Sequence, residues 1–537
     1  MKKNNVSKVV LLSIAAAEAI LAVLLSGIFP NHGWAQLISF VLVASMAIIL
    51  ACSVGEKYNG LKVLLISILA FALLSWILPA AYYSNGYVEQ GRTQMGLFDL
   101  FNYLTASITY FGYIAVYVLV VGGLYGVLNK IGAYRVMLDK MAKGFKGGEK
   151  FVLVFIIVLL TVLTSVCGLQ LGLIVFIPML ISLLLLMGFD KTTTALAIVG
   201  SLLIGIAGST CGYANTSVIV STLGTNLFSH LIFKIIILVF GTGLLILNTL
   251  LYVYKCEKSK KKTTKAAKVK KEVLKKEDEK FVPDKVSARK KVTLWPLIVM
   301  FSLMFCLLIV AFTSWAGIAK IKVFEDVTKA VTEFKLFGFP LFGKVLGGVN
   351  AFGVWTVAEM VTVTVIATLL LSFIYKVKFD EMIEGFIAGV KKAAMPALVV
   401  VLAYTCLVIA AYHPFQLAVY KAVLDMTSGF SVIISGSLTA VFAGIINVDP
   451  AYTFQSVLPY FASVVDKSDY SLAALIFQSV YGVVMLLAPT SAILMGVLSY
   501  LEIPYKKWLK NSWLLICELL LLVLLVFIAV VLLGIIF

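Results

Sequence analysis

Histidine is scarce in this 537-residue chain, where His32, His230 and His413 stand far apart, so a histidine-built metal centre has no sequence basis. The seven cysteines form no Cys-x-x-Cys pair and most lie in apolar runs, which argues against a zinc ribbon or a disulfide framework and for buried apolar side chains. Charged residues make up only 13% of the chain, whereas 61% is hydrophobic and the mean hydropathy is +1.05. That balance belongs to a polytopic membrane protein rather than to a soluble fold. No Gly-x-x-x-x-Gly-Lys-Ser/Thr sequence is present, which excludes a P-loop pump, and no Gly-x-Ser-x-Gly elbow marks a hydrolase. The apolar segments leave no room between them for an ordinary catalytic domain. The chain therefore reads as a non-enzyme that needs no cofactor.

The net charge of +18 is concentrated in one place. Between Lys255 and Lys291 sixteen Lys/Arg and six Asp/Glu supply +10 of it. Aromatic residues for stacking on bases are nearly absent from this run, so nucleic acid is not an expected partner. A solvated linker is expected there, placed with the N-terminus on the cytoplasmic side of the cell membrane by the positive-inside rule and able to touch anionic lipid heads. The N-terminal apolar run from Val9 to Phe29 has the roughly 20 residues of a full span, and Pro30-Asn31-His32-Gly33 is no cleavage site, so it reads as an uncleaved first span.

Two polar interruptions organise the rest. Gly208-Ser209-Thr210-Cys211-Gly212, with Asn215-Thr216-Ser217 after it, follows the helix-length run Thr194 to Ala207, and Pro489-Thr490-Ser491 follows Leu472 to Leu487. In hydrocarbon an unsatisfied backbone group costs several kcal/mol, so such breaks persist only where protein or a cavity covers them. Paired broken helices in two halves of a chain point to a transport site near the midplane.

A stretch with a polar tip precedes each break. Phe151 to Leu186 is interrupted at Thr164 to Gly172, and Val432 to Val457 at Gly444 to Pro450. The first stretch is too long for one helix and barely long enough for two spans of about 20 residues. It is read as a re-entrant hairpin, with two short spans as the alternative; the hairpin alone delivers the basic linker to the cytoplasm. The expected fold class is an all-α polytopic membrane protein, an inverted repeat with two re-entrant hairpins and two broken transmembrane helices. Residues 1–60 form two extra spans, 61–253 the first repeat, 254–292 the linker and 293–537 the second, inverted repeat. Within the repeats Phe176 to Leu180 is matched to Val457 to Phe461, and Asn215 to Ile219 to Pro489 to Ile493. A loop is expected from Tyr82 to Asp99, then a span from about Ile108 to Leu128. Amphipathic surface segments follow at Lys130 to Lys150 and Asp380 to Lys392.

Half-helices beginning near Thr216 and Thr490 would present unpaired N–H groups and a positive dipole end to an anion. The candidate substrate-binding residues are Gln170, Asn215, Thr216, Ser217, Asn447, Thr490 and Ser491, for a small carboxylate or amino acid. Ser165 and Asp449 are the candidate coupling-ion residues, for Na⁺ or H⁺. The plain alternative for any one Thr-Ser pair is helix packing, and for Asp449 a loop open to water. Tyr404 and Thr405 are secondary candidates. Glu18 and Glu518 lie on peripheral spans, Glu359 is explained by snorkelling, and His413-Pro414 reads as an interfacial turn.

Trp76-Ile77-Leu78-Pro79-Ala80, Gly122-Gly123 with Gly126 to Ala133, and Pro489 to Met495 continuing through Ile503 to Lys510 resemble the YfcC family of basic amino acid antiporters and C4-dicarboxylate-carrier-like proteins, in the ion-transporter superfamily. The resemblance runs from about Leu61 to the end. It implies a secondary active transporter working by cation-coupled symport or exchange, with basic amino acid exchange of the arginine/ornithine type as one family activity, and a homodimer joined through its scaffold halves. The family's acidic pair after the first-tip glycine is here Leu169-Gln170-Leu171-Gly172. An ion channel is the rival reading, since channels also tolerate broken helices.

Overall fold

The computed structural model describes residues 2–261, 281–283 and 293–536, so most of the lysine-rich linker lies outside the described residues. Helices α1 (Lys2–Ile28) and α2 (Gly33–Ser53) pack on each other and, through α2, on α3 (Asn59–Ile77). Leu78-Pro79 follows α3, where proline cannot continue the helix. The expected loop then contains a hairpin of β1 (Ala80–Tyr83) and β2 (Tyr87–Gly91), turning at Asn85 and Gly86, both at positive φ. These short strands lack apolar alternation and gave no sequence signal.

Helix α4 (Leu97–Lys130) is continuous over 34 residues, about 51 Å at 1.5 Å per residue. It starts well before the expected span because Asp99, Asn102 and Thr105 break its apolar run without breaking the helix. After it come α5 (Gly132–Gly144), α6 (Glu149–Cys167), a 3-10 turn at Gly172–Val175, α7 (Ile177–Leu186), α8 (Lys191–Ala207), α9 (Tyr213–Leu223) and α10 (Leu231–Lys261). The second half has α11 (Trp295–Phe312), the short α12 (Trp315–Ala319), α13 (Val323–Glu333) and α14 (Leu341–Leu346), then α15 (Val357–Ile374) and α16 (Phe379–Tyr412). It ends with α17 (Gln416–Met426), α18 (Val432–Ile446), α19 (Pro450–Val464), α20 (Tyr470–Val484), α21 (Ala492–Leu501) and α22 (Tyr505–Ile536). Among the described residues ten helices are long and apolar enough to cross a membrane.

The order of long helix, short helix, two-helix hairpin, broken pair and long helix occurs twice, as α4 to α10 and as α16 to α22. Two expected correspondences change. Asp380 to Lys392 is the first third of the unbroken α16, so the partner of α5 is α17. Proline does not split α16: Pro396 lines one cavity, and Lys392, whose carbonyl loses its helical donor, lines the adjoining one. Pro178 is the second residue of α7, whereas Pro459 lies inside α19. The helix-starting proline after the second tip is Pro450 instead.

Both polar-tipped stretches fold back on themselves. Glu149 and Lys150 at the start of α6 share a surface cavity with Met187 to Asp190 just past the end of α7. A Cβ built on Gly436, early in α18, would lie 3.5 Å from Phe461, late in α19. The two halves meet most closely where α4 crosses α16. Gly122-x-x-x-Gly126 faces Gly385-x-x-x-Gly389, and a Cβ on Gly389 would lie 2.0 Å from the Gly122 carbonyl oxygen, one on Gly126 2.0 Å from that of Gly385. Only glycine lets the backbones approach so closely. The second motif lies in a segment whose charges make it read as a surface helix.

Candidate binding site at the helix breaks

Each irregular segment leaves carbonyls that no helix satisfies, and side chains from other elements take them up. At the first break Gly208 O accepts from Ser165 Oγ at 2.8 Å, and Ser209 O from Gln478 Nε2 of α20 at 2.7 Å. The Ser165 carbonyl in turn accepts the N–H groups of Thr210 and Gly212. At the first tip Tyr117 and Tyr125 of α4 donate to Gly172 O and Val175 O at 2.9 and 2.7 Å. The second tip is held by Tyr481, which donates to Val448 O at 3.0 Å, and by Asn447 Nδ2, which donates to Tyr420 Oη at 3.0 Å. At the second break Leu486 O and Leu487 O accept from Trp508 Nε1 at 2.9 Å and Tyr505 Oη at 2.5 Å. Tyr505 and Trp508 are fully buried, although Lys506-Lys507 between them reads as interfacial.

The hydroxyls singled out from sequence are largely engaged in this stapling. Thr216 and Thr490 are each 1% exposed; Thr216 Oγ1 donates to Gly212 O at 3.3 Å and Thr490 Oγ1 to Ile445 O at 3.2 Å. Ser491 is the N-cap of α21, its Oγ accepting from Leu494 N–H at 3.4 Å. Helix α9 begins at Tyr213 and α21 at Ala492, so Thr216 lies inside the first turn and Thr490 just outside. Ser217 is half-buried on α9 and lines neither cavity described below. Asp449 caps α19, its Oδ1 accepting from Tyr452 N–H at 3.0 Å. No Lys or Arg is ion-paired with it among the described residues.

Gln170 stands apart. It is 9% exposed and its Nε2 donates to Asn215 Oδ1 at 2.7 Å. Gln170 Oε1 and Asn215 Nδ2 have no partner, and neither has Asn447 Oδ1. A buried amide pair therefore keeps one acceptor and one donor in reserve.

Gln170 lines a narrow chamber of about 80 Å³ between the first tip, α4, α16 and α21. Above it, sharing Gly122, Pro178, Ala393 and Tyr500, opens a vestibule of about 980 Å³. Three helices give the depth scale. Along α21, Ala492 and Ile493 line the chamber and Glu502 the vestibule mouth; Val400 and Lys391 mark the same two levels on α16, and Ile114 and Lys130 on α4. Ala492 and Ile493, whose N–H groups head a helix and have no intrahelical acceptor, lie against the chamber, whose wall is almost wholly apolar. Lys57, Lys130, Lys191, Lys391 and Lys392 line the vestibule against Glu56 and Glu502. This excess of positive charge concentrates anions at the mouth.

Two features escaped sequence reasoning. Lys234, one turn into α10, is 4% exposed and donates to Leu227 O at 2.8 Å near Cys211 of the first break; a lysine inside the apolar run from Leu231 was the available signal. Phe281-Val282-Pro283 of the linker tucks into the vestibule wall, where Phe281 O accepts from Ser182 Oγ at 2.8 Å and Pro283 O from Arg135 Nη1 at 2.5 Å. Phe281, the one aromatic residue between Lys255 and Lys291, opening an apolar tripeptide, was the available signal.

The sequence model of the family described as DcuC, C4-dicarboxylate anaerobic carrier, matches residues 11–532. The match takes in α1 and α2, which lie outside the resemblance read from the motifs. An uncharacterized protein of Haemophilus influenzae is 22% identical over 407 residues, covering 74% of this chain and 71% of that one. Among solved structures, that of the Alcanivorax borkumensis YdaH transporter is similar at 13% identity and a TM-score of 0.38, covering 89% of this chain and 98% of the other; a likeness this loose carries no argument.

Proposed function

This chain belongs to the DcuC family of C4-dicarboxylate anaerobic carriers, a multi-pass secondary transporter and not an enzyme, and from that premise we propose that it moves small carboxylates across the cytoplasmic membrane through the chamber above Gln170. The observation that carries this reading is the lysine-lined vestibule leading inward to a chamber at the head of α21. In this reading a carboxylate leaving water turns to the head of α21, with Gln170 beside the chamber and Asn215 behind it as the partner of the Gln170 amide. Thr216, Ser217, Asn447, Thr490 and Ser491 then serve the site by holding the breaks and tips in place. The segments 61–253 and 293–537 act as inverted repeats, and the vestibule, flanked by basic ends of helices, faces the cytoplasm together with the N-terminus and linker. The YfcC-like motifs support assignment to that branch, and a homodimer is the assembly the resemblance implies.

Asp449 is the proposed coupling residue, taking H⁺ or Na⁺: a carboxylate at a hairpin tip of a membrane-spanning bundle, with no Lys or Arg ion-paired to it among the described residues, is one that a mobile cation can neutralise. Ser165 is a weaker coupling candidate, since its hydroxyl and carbonyl already serve the first break. The test is counterflow in proteoliposomes. Saturable exchange of a labelled carboxylate, abolished by Ile493→Asp at the chamber floor, supports the reading. Flux that follows the membrane potential without saturation or exchange identifies a channel and refutes it.

A further inference from the structure

The segment joining α11 to α15 is closed at its neck. The N–H groups of Gly353 and Trp355 both donate to Ala311 O at the end of α11, at 2.8 and 3.2 Å, and Phe324 packs between Trp315 and Phe352 at ring-centroid distances of 5.7 and 6.0 Å. Both helices are long and apolar enough to cross the membrane, so the neck lies at the membrane face opposite the one from which α11 starts. Beyond the neck the polarity is the reverse of a loop that lives in water. At about 100° per residue, Val323, Val327, Ala330, Val331 and Phe334 fall on one side of α13, and Glu325, Asp326, Lys329 and Glu333 on the other. Helix α14 packs against Thr332, whose carbonyl oxygen would lie 2.3 Å from a Cβ on Gly343, and leaves the apolar side open: Val323, Val327, Val331 and Phe334 are exposed. Past α13, Phe337 and Gly338 form the positive-φ tip of a turn closed by Leu336 and Phe339, and the Phe337 ring is fully exposed. We propose that α13 and the Phe337 turn are an interfacial membrane anchor, with this apolar side in the headgroup layer and lipid as its partner.

Position, charge and symmetry select lipid. The neck ties the segment to two spans whose own outer sides are apolar and open, Leu303 of α11 and Ile366 of α15 being exposed, so the face on α13 begins where a lipid-facing surface ends. Helix α13 is about 16 Å long and stays near that level. Burial in the headgroup layer removes its valines, Phe334 and the Phe337 ring from water, a gain in proportion to the apolar area covered. Lys320 and Lys322 precede the helix, and Lys335 and Lys344 follow it; their stems suit the boundary between apolar side and water while the ammonium groups reach lipid phosphates. Glu325, Asp326 and Glu333 stand on the water side, away from those phosphates. A second copy of the chain fits poorly. An isologous contact would set this face against itself, lysines against lysines with no acid on the face to meet them.

The full-length protein is made with the photoreactive p-benzoylphenylalanine in place of Phe337, Val327, Lys329 or Leu303, one site at a time, and reconstituted in vesicles of phosphatidylethanolamine and phosphatidylglycerol. All four side chains are exposed, so none of the changes disturbs packing. After irradiation the adducts are identified by intact-protein mass spectrometry. Adducts of lipid mass are expected at Phe337 and Val327, as at Leu303 on the open side of α11, and are expected to be lost at Lys329, which faces water. Val327→Glu with Val331→Glu, which puts two carboxylates on the apolar side, is expected to abolish the lipid adduct at Phe337 while that at Leu303 persists. Crosslinks from Phe337 to a second chain assign the face to a dimer and overturn the proposal. No adduct at Phe337 with labelling at Leu303 places the segment in water and overturns it, and equal lipid labelling at Lys329 and Phe337 overturns the orientation on which it rests. Failure to label Leu303 as well refutes α11 as a lipid-facing span, and the anchor with it.

Discussion

The same substitution at two glycines is expected to separate the scaffold from the site. At Gly389 the added Cβ lies 2.0 Å from the Gly122 carbonyl oxygen and 2.9 Å from Gly126 Cα. Both are backbone atoms of α4, so no side chain can turn aside. Ordinary contact begins near 3.4 Å, and α4 and α16 must move apart by about 1.4 Å along that direction. Overpacking of this kind costs about 1–3 kcal/mol or more, and the glycines on both helices share one interface, so the loss spreads along it. At Gly496 the nearest atom to an added Cβ is Val400 Cγ2 at 3.8 Å, an ordinary contact. Alanine there gains about 0.5–1 kcal/mol of helix stability but puts a methyl group, nearly the ~30 Å³ of a water, into a chamber of about 80 Å³. Displacing a bound solute by that volume at the same overpacking cost lowers kcat/KM by roughly 5- to 150-fold. Thermal unfolding in detergent with counterflow on the same preparations reads both effects: Gly389→Ala melts lower, and Gly496→Ala melts no lower than the parent but exchanges poorly. Unchanged exchange in Gly496→Ala removes the chamber from the transport path, and an unchanged melting temperature in Gly389→Ala refutes the close helix crossing.

Asp449→Asn keeps an N-cap of equal quality, so the fold is expected to hold while the pH or Na⁺ dependence of uptake disappears; a variant coupled like the parent makes Asp449 a structural cap alone. Trp508→Phe leaves Leu486 O without its donor and is expected to lower stability by about 1–3 kcal/mol, the penalty for a buried unsatisfied group, read by thermal unfolding. Phe281→Gly with Ser182→Ala frees the linker strap from the vestibule wall, and a reporter cysteine placed by Ser499→Cys is expected to react faster with a membrane-impermeant thiol reagent. Equal rates place the strap away from the entrance. Replacing Lys391 and Lys392 by glutamate is expected to raise KM for a carboxylate several-fold at low salt and progressively less as salt rises, because screening weakens mouth electrostatics.

Composition and apolar run length alone establish a polytopic helical membrane protein, and Thr-Ser breaks with polar tips locate its irregular segments at Gly208 to Gly212, Gly168 to Gly172, Asn447 to Asp449 and Met485 to Ser491. These are legible because hydrocarbon tolerates an interrupted helix only under cover, so any polar break in a span-length run carries information. What covers each break is not legible: Trp508 reaches back 22 residues to Leu486 O, Gln478 crosses from the second half to Ser209 O, and Tyr117 and Tyr125 leave an otherwise apolar helix for the first tip. Sequence nominates Gln170 alongside Thr216, Thr490 and Ser491 without ranking them, whereas folding uses the oxygens of the latter three on neighbouring backbone and places Gln170 alone of the four against the chamber. The Gly385-x-x-x-Gly389 crossing hides in the same way behind charges on the other faces of its helix. A local pattern records what one helix turn needs from its surroundings; which distant side chain meets that need, and which polar atom is left over for a solute, is settled only when all the helices pack at once.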